Sequence, residues 1–126
     1  MPALPRQEAG RSALTVLGIA SGVVAGLVAI TPAAGFVTPM AALVIGAVSA
    51  PISFFAIRLR HRSSLDESLD VWACHGMGGL WGALATGLFA TTAINPAGAD
   101  GLFYGNPQQF LIQVVAVIGV AVFAFV

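Results

Sequence analysis

Four long apolar stretches, separated by short polar or turn-forming segments, dominate the hydropathy pattern of this chain. They predict helices over about residues 13–31, 36–57, 66–92 and 109–126. Each stretch is comparable to the ~20 residues that a helix needs to cross the apolar layer of a bilayer. The pattern therefore predicts an all-α fold, a polytopic membrane helix bundle with four transmembrane helices.

Prolines and glycines define the first two spans. Pro32, in the segment Thr31–Gly35, predicts a tight turn, so the second span should return antiparallel beside the first. Pro51 lies well inside the second span and predicts a kink with one unbonded carbonyl. We expect Ser49, Ser53 or a neighbouring helix to satisfy that carbonyl.

Composition excludes a soluble domain. The chain of 126 residues is 58% hydrophobic and 8% charged, whereas a small soluble domain carries about a quarter of its residues as charges. Five Arg balance five Asp and Glu, so the net charge of zero gives no reason to expect a nucleic-acid partner. The lipid bilayer is the first expected partner.

The arginines predict the orientation in the membrane. Arg6 and Arg11 precede the first span, and the segment Arg58–Arg62 separates the second from the third. The other two connections contain no basic residue. By the positive-inside rule, the N-terminus and the Arg58–Arg62 loop should be cytoplasmic in a cell-membrane protein.

Small residues form a stripe on the first span. Gly18, Gly22 and Gly26 recur every four residues, and Ala25 and Ala29 widen the stripe. This spacing favours close packing against another helix. The alternative, that Gly and Ala are simply common in membrane helices, stays open at this point.

His75 is the one ionisable side chain expected deep in a span. At ~1.5 Å per residue it lies roughly 9–15 Å into a ~30 Å apolar layer. A charged, unpaired group at that depth costs several kcal/mol, so polar residues there usually mark a pathway or relay. A neutral imidazole both donates and accepts a hydrogen bond, which suits a small polar solute stripped of water.

A helical wheel separates small from bulky residues around this histidine. Val71, Gly78, Gly79 and Gly82 share the face of His75. The opposite face carries bulky apolar residues suited to lipid: Met77, Leu80, Trp81, Leu84 and Leu88. We therefore expect the glycine side to pack on another helix, with His75 facing protein or a cavity.

Other chemistry has little support. Cys74 and His75 are adjacent and point in different directions, the second cysteine of a haem motif is missing, and Cys74 is the only cysteine. Asp70 lies on the face opposite His75 and fits a structural role near the helix N-terminus. We predict no catalytic residue, metal or cofactor, and no enzyme activity.

Two stretches resemble a known family. AGLVAITPAAGFV (Ala25–Val37) and LDVWACHGMGGLWGALATGLFA (Leu69–Ala90) are similar to stretches of the family of ammonium transporters, methylammonium permeases and Rhesus proteins, and the similarity runs from about Ser12 onward. The resemblance implies a trimer of eleven-helix subunits, each with an internal inverted repeat and its own pore. This chain would then be a partial ammonium transporter domain over residues 1–126, supplying the last four helices.

The resemblance also implies roles for individual residues. His75 matches the second of two histidines in the middle of a narrow hydrophobic pore, where it would hydrogen-bond ammonia or ammonium and help relay its proton. Val71 matches a position on the inner side of the pore, and Asp70 an acidic residue near the inner helix end. A regulatory signalling protein at the cytoplasmic face is a further implied partner.

Seven helices of the family fold have no counterpart in this sequence, among them the one carrying the first pore histidine. We therefore expect this chain to act in ammonium transport only as part of a longer or complemented transporter, and not to transport alone. The alternative is a small membrane interaction or assembly protein, or an inactive remnant. An upstream reading frame encoding the missing helices would favour the first interpretation.

Overall fold

The computed structural model describes residues 6–63 and 71–126, and side chains from Thr15 onward. Its regular elements are all helical, as the apolar pattern predicted. They are α1 (Arg6–Ile30), α2 (Pro39–Arg62), a π-helix (Trp72–Met77) continued by α3 (Gly78–Phe89), and α4 (Pro107–Phe125), with short 3-10 turns at Thr31–Ala33 and Leu102–Tyr104.

Within the residues that the structure describes, three helices are long and apolar enough to cross a membrane, at Thr15–Ala33, Pro39–Arg62 and Pro107–Phe125. The expected start of the third span, with Asp70, lies outside the described residues. α1 and α2 extend further into polar sequence than the apolar stretches do. Arginine is a good helix former, so a helix need not end where its hydrocarbon-spanning part ends.

The connection between α1 and α2 is a tight turn. Pro32 lies in the 3-10 turn, and Gly35 follows with a φ of +82°, which favours glycine. The Thr38 hydroxyl then accepts a hydrogen bond from the Ala41 amide at 3.3 Å, with Pro39 at the first helical position. α1 and α2 therefore pack side by side, as the turn predicted.

The core consists mostly of small residues. Its buried members, drawn from α1, α2, α3 and the first turn, are Ala29, Ala33, Val37, Ala41, Ile45 and Ala85. In lipid, the hydrophobic effect does not drive helices together. Small side chains let the helix backbones approach closely, so van der Waals packing stabilises their association instead.

Trp81 packs against this core. Its indole N–H donates to the carbonyl of Ile45 at 3.0 Å. The prediction that Trp81 faces lipid is therefore wrong. The wheel considered only bulk, whereas an indole also needs a partner for its N–H, and α2 offers one.

The small-residue stripe of α1 packs over half of its length. Ala25 and Ala29 are fully buried, and a Cβ at Gly26 would lie 3.8 Å from the Gly46 carbonyl oxygen. At Gly18 and Gly22 the same Cβ would meet no heavy atom of the described chain within 4 Å. The expected helix contact is thus confirmed at Ala25, Gly26 and Ala29, and does not extend to the other two glycines.

The two serines near Pro51 use their hydroxyls differently from the expectation. Ser49 Oγ donates to the Gly46 carbonyl at 2.7 Å, and Ser53 Oγ donates to the Ala73 carbonyl at 3.3 Å. Neither of these bonds reaches the carbonyl one turn before Pro51, whose usual donor the proline lacks. Ser53 instead joins α2 to the π-helix.

The connection between α3 and α4 folds back over the α1–α2 turn. The Thr91 amide donates to the Phe36 carbonyl at 2.8 Å. The amide and hydroxyl of Thr92 both donate to Asp100 Oδ1, at 2.8 and 3.1 Å. These bonds close this end of the bundle opposite the arginine-rich end of α2.

Candidate functional site

His75 lies within a π-helix. In the turn Trp72–Met77, backbone bonds join residues five apart instead of four. Such π-turns occur mostly as single turns within α-helices, frequently at functional sites. The wheel used for the sequence assumed an α-helix throughout, whereas a π-turn holds one residue more, so the residues after this turn are rotated relative to Val71 from where the wheel places them. Gly76 and Gly78 weaken the helical preference of the segment, but no sequence signal specifies a π-turn.

The residues just before His75 fix its backbone inside the bundle. Ala73 is fully buried and Cys74 is 5% exposed. Ser53 of α2 bonds the Ala73 carbonyl, and the Gly78 amide donates to the carbonyl of His75 itself. The histidine therefore projects from a segment that is anchored on its other side.

The His75 side chain is exposed on the surface of this chain. The sequence predicts protein or a cavity in front of this side chain. Among the described residues no wall covers it. Val71, one turn earlier, is 46% exposed. The enclosure expected around the imidazole would have to come from outside residues 6–63 and 71–126.

Two of the three predicted glycines bring α3 onto α1. A Cβ at Gly78 would lie 3.5 Å from the Ala25 carbonyl oxygen, and one at Gly82 would lie 2.9 Å from the Ala29 carbonyl carbon. Gly79 differs, because a Cβ there would meet nothing within 4 Å. Gly78 and Gly82 thus hold the helix against α1, and Gly79 lies beside that contact.

This arrangement offers one imidazole on the open side of a closely packed helix. A neutral imidazole has one N–H donor and one nitrogen acceptor, so it can bond a donor or an acceptor solute and take up a proton. Within the described ranges no group of three or more His, Cys, Asp or Glu side chains is placed to hold a metal ion.

One interhelical contact of the site is not predicted by the sequence. The sequence indicates Ser53 only as a possible partner for the carbonyl freed by Pro51, whereas its hydroxyl donates to the Ala73 carbonyl, twenty residues further along the chain. This contact depends on how α2 packs against the π-helix, and no local sequence pattern predicts it.

The sequence matches a known family over almost its whole length. The family model described as the Ammonium Transporter Family matches residues 4–126. The chain is 51% identical over 113 residues to an ammonium transporter of Bacillus subtilis, covering 89% of this chain and 28% of that protein. It is 50% identical over 109 residues to ammonium transporter Amt1 of Archaeoglobus fulgidus, covering 86% and 27%.

Solved structures of Mep2 proteins superpose on this chain. Mep2 of Candida albicans superposes with a TM-score of 0.76 at 38% identity, over 83% of this chain and 24% of that one. Mep2 of Saccharomyces cerevisiae gives 0.73 at 37% identity, over 79% and 23%. The chain therefore spans about a quarter of the length of the relatives it matches.

Proposed function

This chain belongs to the ammonium transporter family, and on that premise we propose that it forms one wall of a transmembrane pore for ammonium or ammonia, lined by His75 and Val71. The rest of the pore comes from helices outside this sequence, on the same polypeptide or on a complementing chain. The full assembly is a trimer in the cell membrane, with the Arg58–Arg62 end in the cytoplasm.

The observation that carries this proposal is the contrast between the two sides of the π-helix. Ala73 and Cys74 are buried in the bundle, whereas the His75 side chain points to the open side. An ionisable group in a membrane span generally faces a bundle interior or a polar cavity, because lipid solvates it poorly. A second wall on the open side would give His75 such surroundings.

The chemistry follows from the imidazole. Ammonia or ammonium loses hydration on entering a narrow apolar passage and needs a replacement hydrogen-bond partner. A neutral His75 would accept a hydrogen bond from ammonium or donate one to ammonia. It could also take up the proton that ammonium loses when it becomes ammonia. Val71 would keep the passage apolar on the side toward the arginine-rich end.

A chimera tests the proposal. The aligned part of this chain replaces the matching segment of the Bacillus subtilis relative, and methylammonium uptake is measured in a strain without ammonium transporters. We expect uptake by the chimera, and a loss of roughly tenfold or more with His75→Ala, the effect of losing one well-placed hydrogen bond to a desolvated solute.

The matched control is His61→Ala, which removes the other, exposed histidine near the end of α2. It should leave uptake unchanged, with membrane abundance checked for every variant. Undiminished uptake by the His75→Ala chimera would remove His75 from the mechanism. The 126-residue chain expressed alone should show no uptake, and uptake by it would contradict a shared pore wall.

A further inference from the structure

We propose that Ser53 is a positioning residue for His75, acting from α2 through the backbone of the π-helix. Its effect on transport rests on the function proposed above for His75. The contact itself does not, so the two can be tested separately.

The contact joins two buried groups. Ser53 is 3% exposed, and its Oγ donates to the carbonyl of Ala73, which is fully buried. A buried hydroxyl is unfavourable without a hydrogen-bond partner, so this bond favours the arrangement in which α2 and the π-helix meet. Ala73 is two residues before His75, on the side of the helix that faces the bundle.

Because Ala73 lies in the π-turn, the bond from Ser53 affects the direction of the side chains that follow. A π-turn holds one residue more than an α-turn, so its relaxation to α would rotate every following side chain relative to the preceding helix. The bond from Ser53 holds the turn at Ala73, and the Gly78 amide holds it at the carbonyl of His75. The direction of the imidazole therefore depends on a hydroxyl that never touches it.

The chain offers a closely matched control in Ser49. This serine lies one turn earlier on the same helix and is fully buried, but its hydroxyl donates to Gly46 of its own helix at 2.7 Å. Ser49→Ala removes a buried hydroxyl from α2 and leaves the bond to the π-helix in place. Ser53→Thr keeps a hydroxyl where Ser53→Ala deletes it.

The test is the NMR spectrum of the full chain in lipid, with ¹⁵N-labelled histidine. The chain has two histidines, so His61 serves as an internal reference and His61→Gln assigns the signals. Ser53→Ala should shift the ring signals of His75 and leave those of His61 in place. Ser49→Ala should leave both unchanged, and Ser53→Thr should restore the wild-type spectrum.

Unchanged His75 signals in Ser53→Ala, or an equal shift in Ser49→Ala, would overturn the proposal. In the uptake chimera, Ser53→Ala should lower the rate roughly three- to tenfold, whereas Ser49→Ala should not. A shifted His75 signal combined with full uptake by His75→Ala would preserve the positioning contact and refute the pore function. The converse, loss of uptake in His75→Ala with an unshifted signal in Ser53→Ala, would refute the positioning role alone.

Discussion

Gly82 of α3 and Ala29 of α1 meet backbone to backbone. A Cβ placed at Gly82 would lie 3.1 Å from the Cα of Ala29 and 2.9 Å from its carbonyl carbon, and the second distance is one that real Cβ atoms essentially never show. Both residues are buried. This contact sets the distance between the two helices and so fixes the position of the helix that carries His75.

Gly82→Ala should destabilise the protein. The added methyl collides with backbone, which cannot rotate away as a side chain would, so α3 must move off α1. Overpacking of this kind costs about 1–3 kcal/mol. The free energy of unfolding, or the melting temperature of the purified protein in detergent, measures the effect.

Gly79→Ala is the control on the same helix. A Cβ at Gly79 would meet nothing within 4 Å in the described chain, and alanine favours a helix over glycine by up to about 1 kcal/mol. Its melting temperature should be equal to that of the wild type or higher. Equal losses from both substitutions would show that α3 does not pack on α1 through Gly82.

The inward packing of Trp81 should be visible by fluorescence quenching. With Trp72 replaced by Phe, Trp81 is the only indole and its N–H bonds Ile45. Brominated lipids should quench it weakly. The comparison variant also carries Trp81→Phe and Leu80→Trp, which moves the indole by one residue to a position that is 40% exposed.

The moved indole should be quenched clearly more strongly, since the two positions lie at nearly the same depth and differ mainly in direction. Equal quenching of the two variants would restore the original expectation that Trp81 faces lipid.

The sequence predicts the helices of this fold well because their signal is local. Apolar length, Pro32 and Gly35 define the spans and the first turn, and each acts within a few residues. The directions of side chains in the third helix are harder to predict. They depend on the π-turn around His75 and on an indole partner in α2, both of which arise only when the helices pack.

The site, too, has features with a local signal and features without one. The sequence shows an isolated histidine in an apolar run, and the glycines at 78 and 82 predict a close helix contact. The bond from Ser53 to Ala73 joins residues twenty positions apart and follows no periodic pattern. This bond forms only when α2 packs against the π-helix.

Asp100 should hold the α3–α4 connection closed. Its Oδ1 accepts both the amide and the hydroxyl of Thr92, eight residues earlier. Asp100→Ala removes this acceptor, and at a partly exposed site the loss is about 1 kcal/mol. Hydrogen exchange of the Thr92 amide should accelerate roughly fivefold, and less in Asp100→Asn, which keeps one acceptor oxygen.

Asn95→Ala provides the comparison for this connection. Its side chain accepts only a local bond from the Ala97 amide, two residues away. Exchange at Thr92 should therefore stay near the wild-type rate. If Asp100→Ala changed exchange at Thr92 no more than Asn95→Ala, the bond between Asp100 and Thr92 would have no stabilising role.

The orientation in the membrane can be tested with two cysteines. In a Cys74→Ala background, Ser63→Cys places a thiol beside the arginine-rich end of α2, and Ala97→Cys places one in the α3–α4 connection. Both positions are exposed. By the positive-inside rule, loops rich in arginine lie on the cytoplasmic side of the membrane. A membrane-impermeant maleimide added to intact cells should therefore label Ala97→Cys at once and Ser63→Cys only after the cells are opened. The reverse pattern would invert the orientation, and with it the assignment of Val71 to the inner side of the pore.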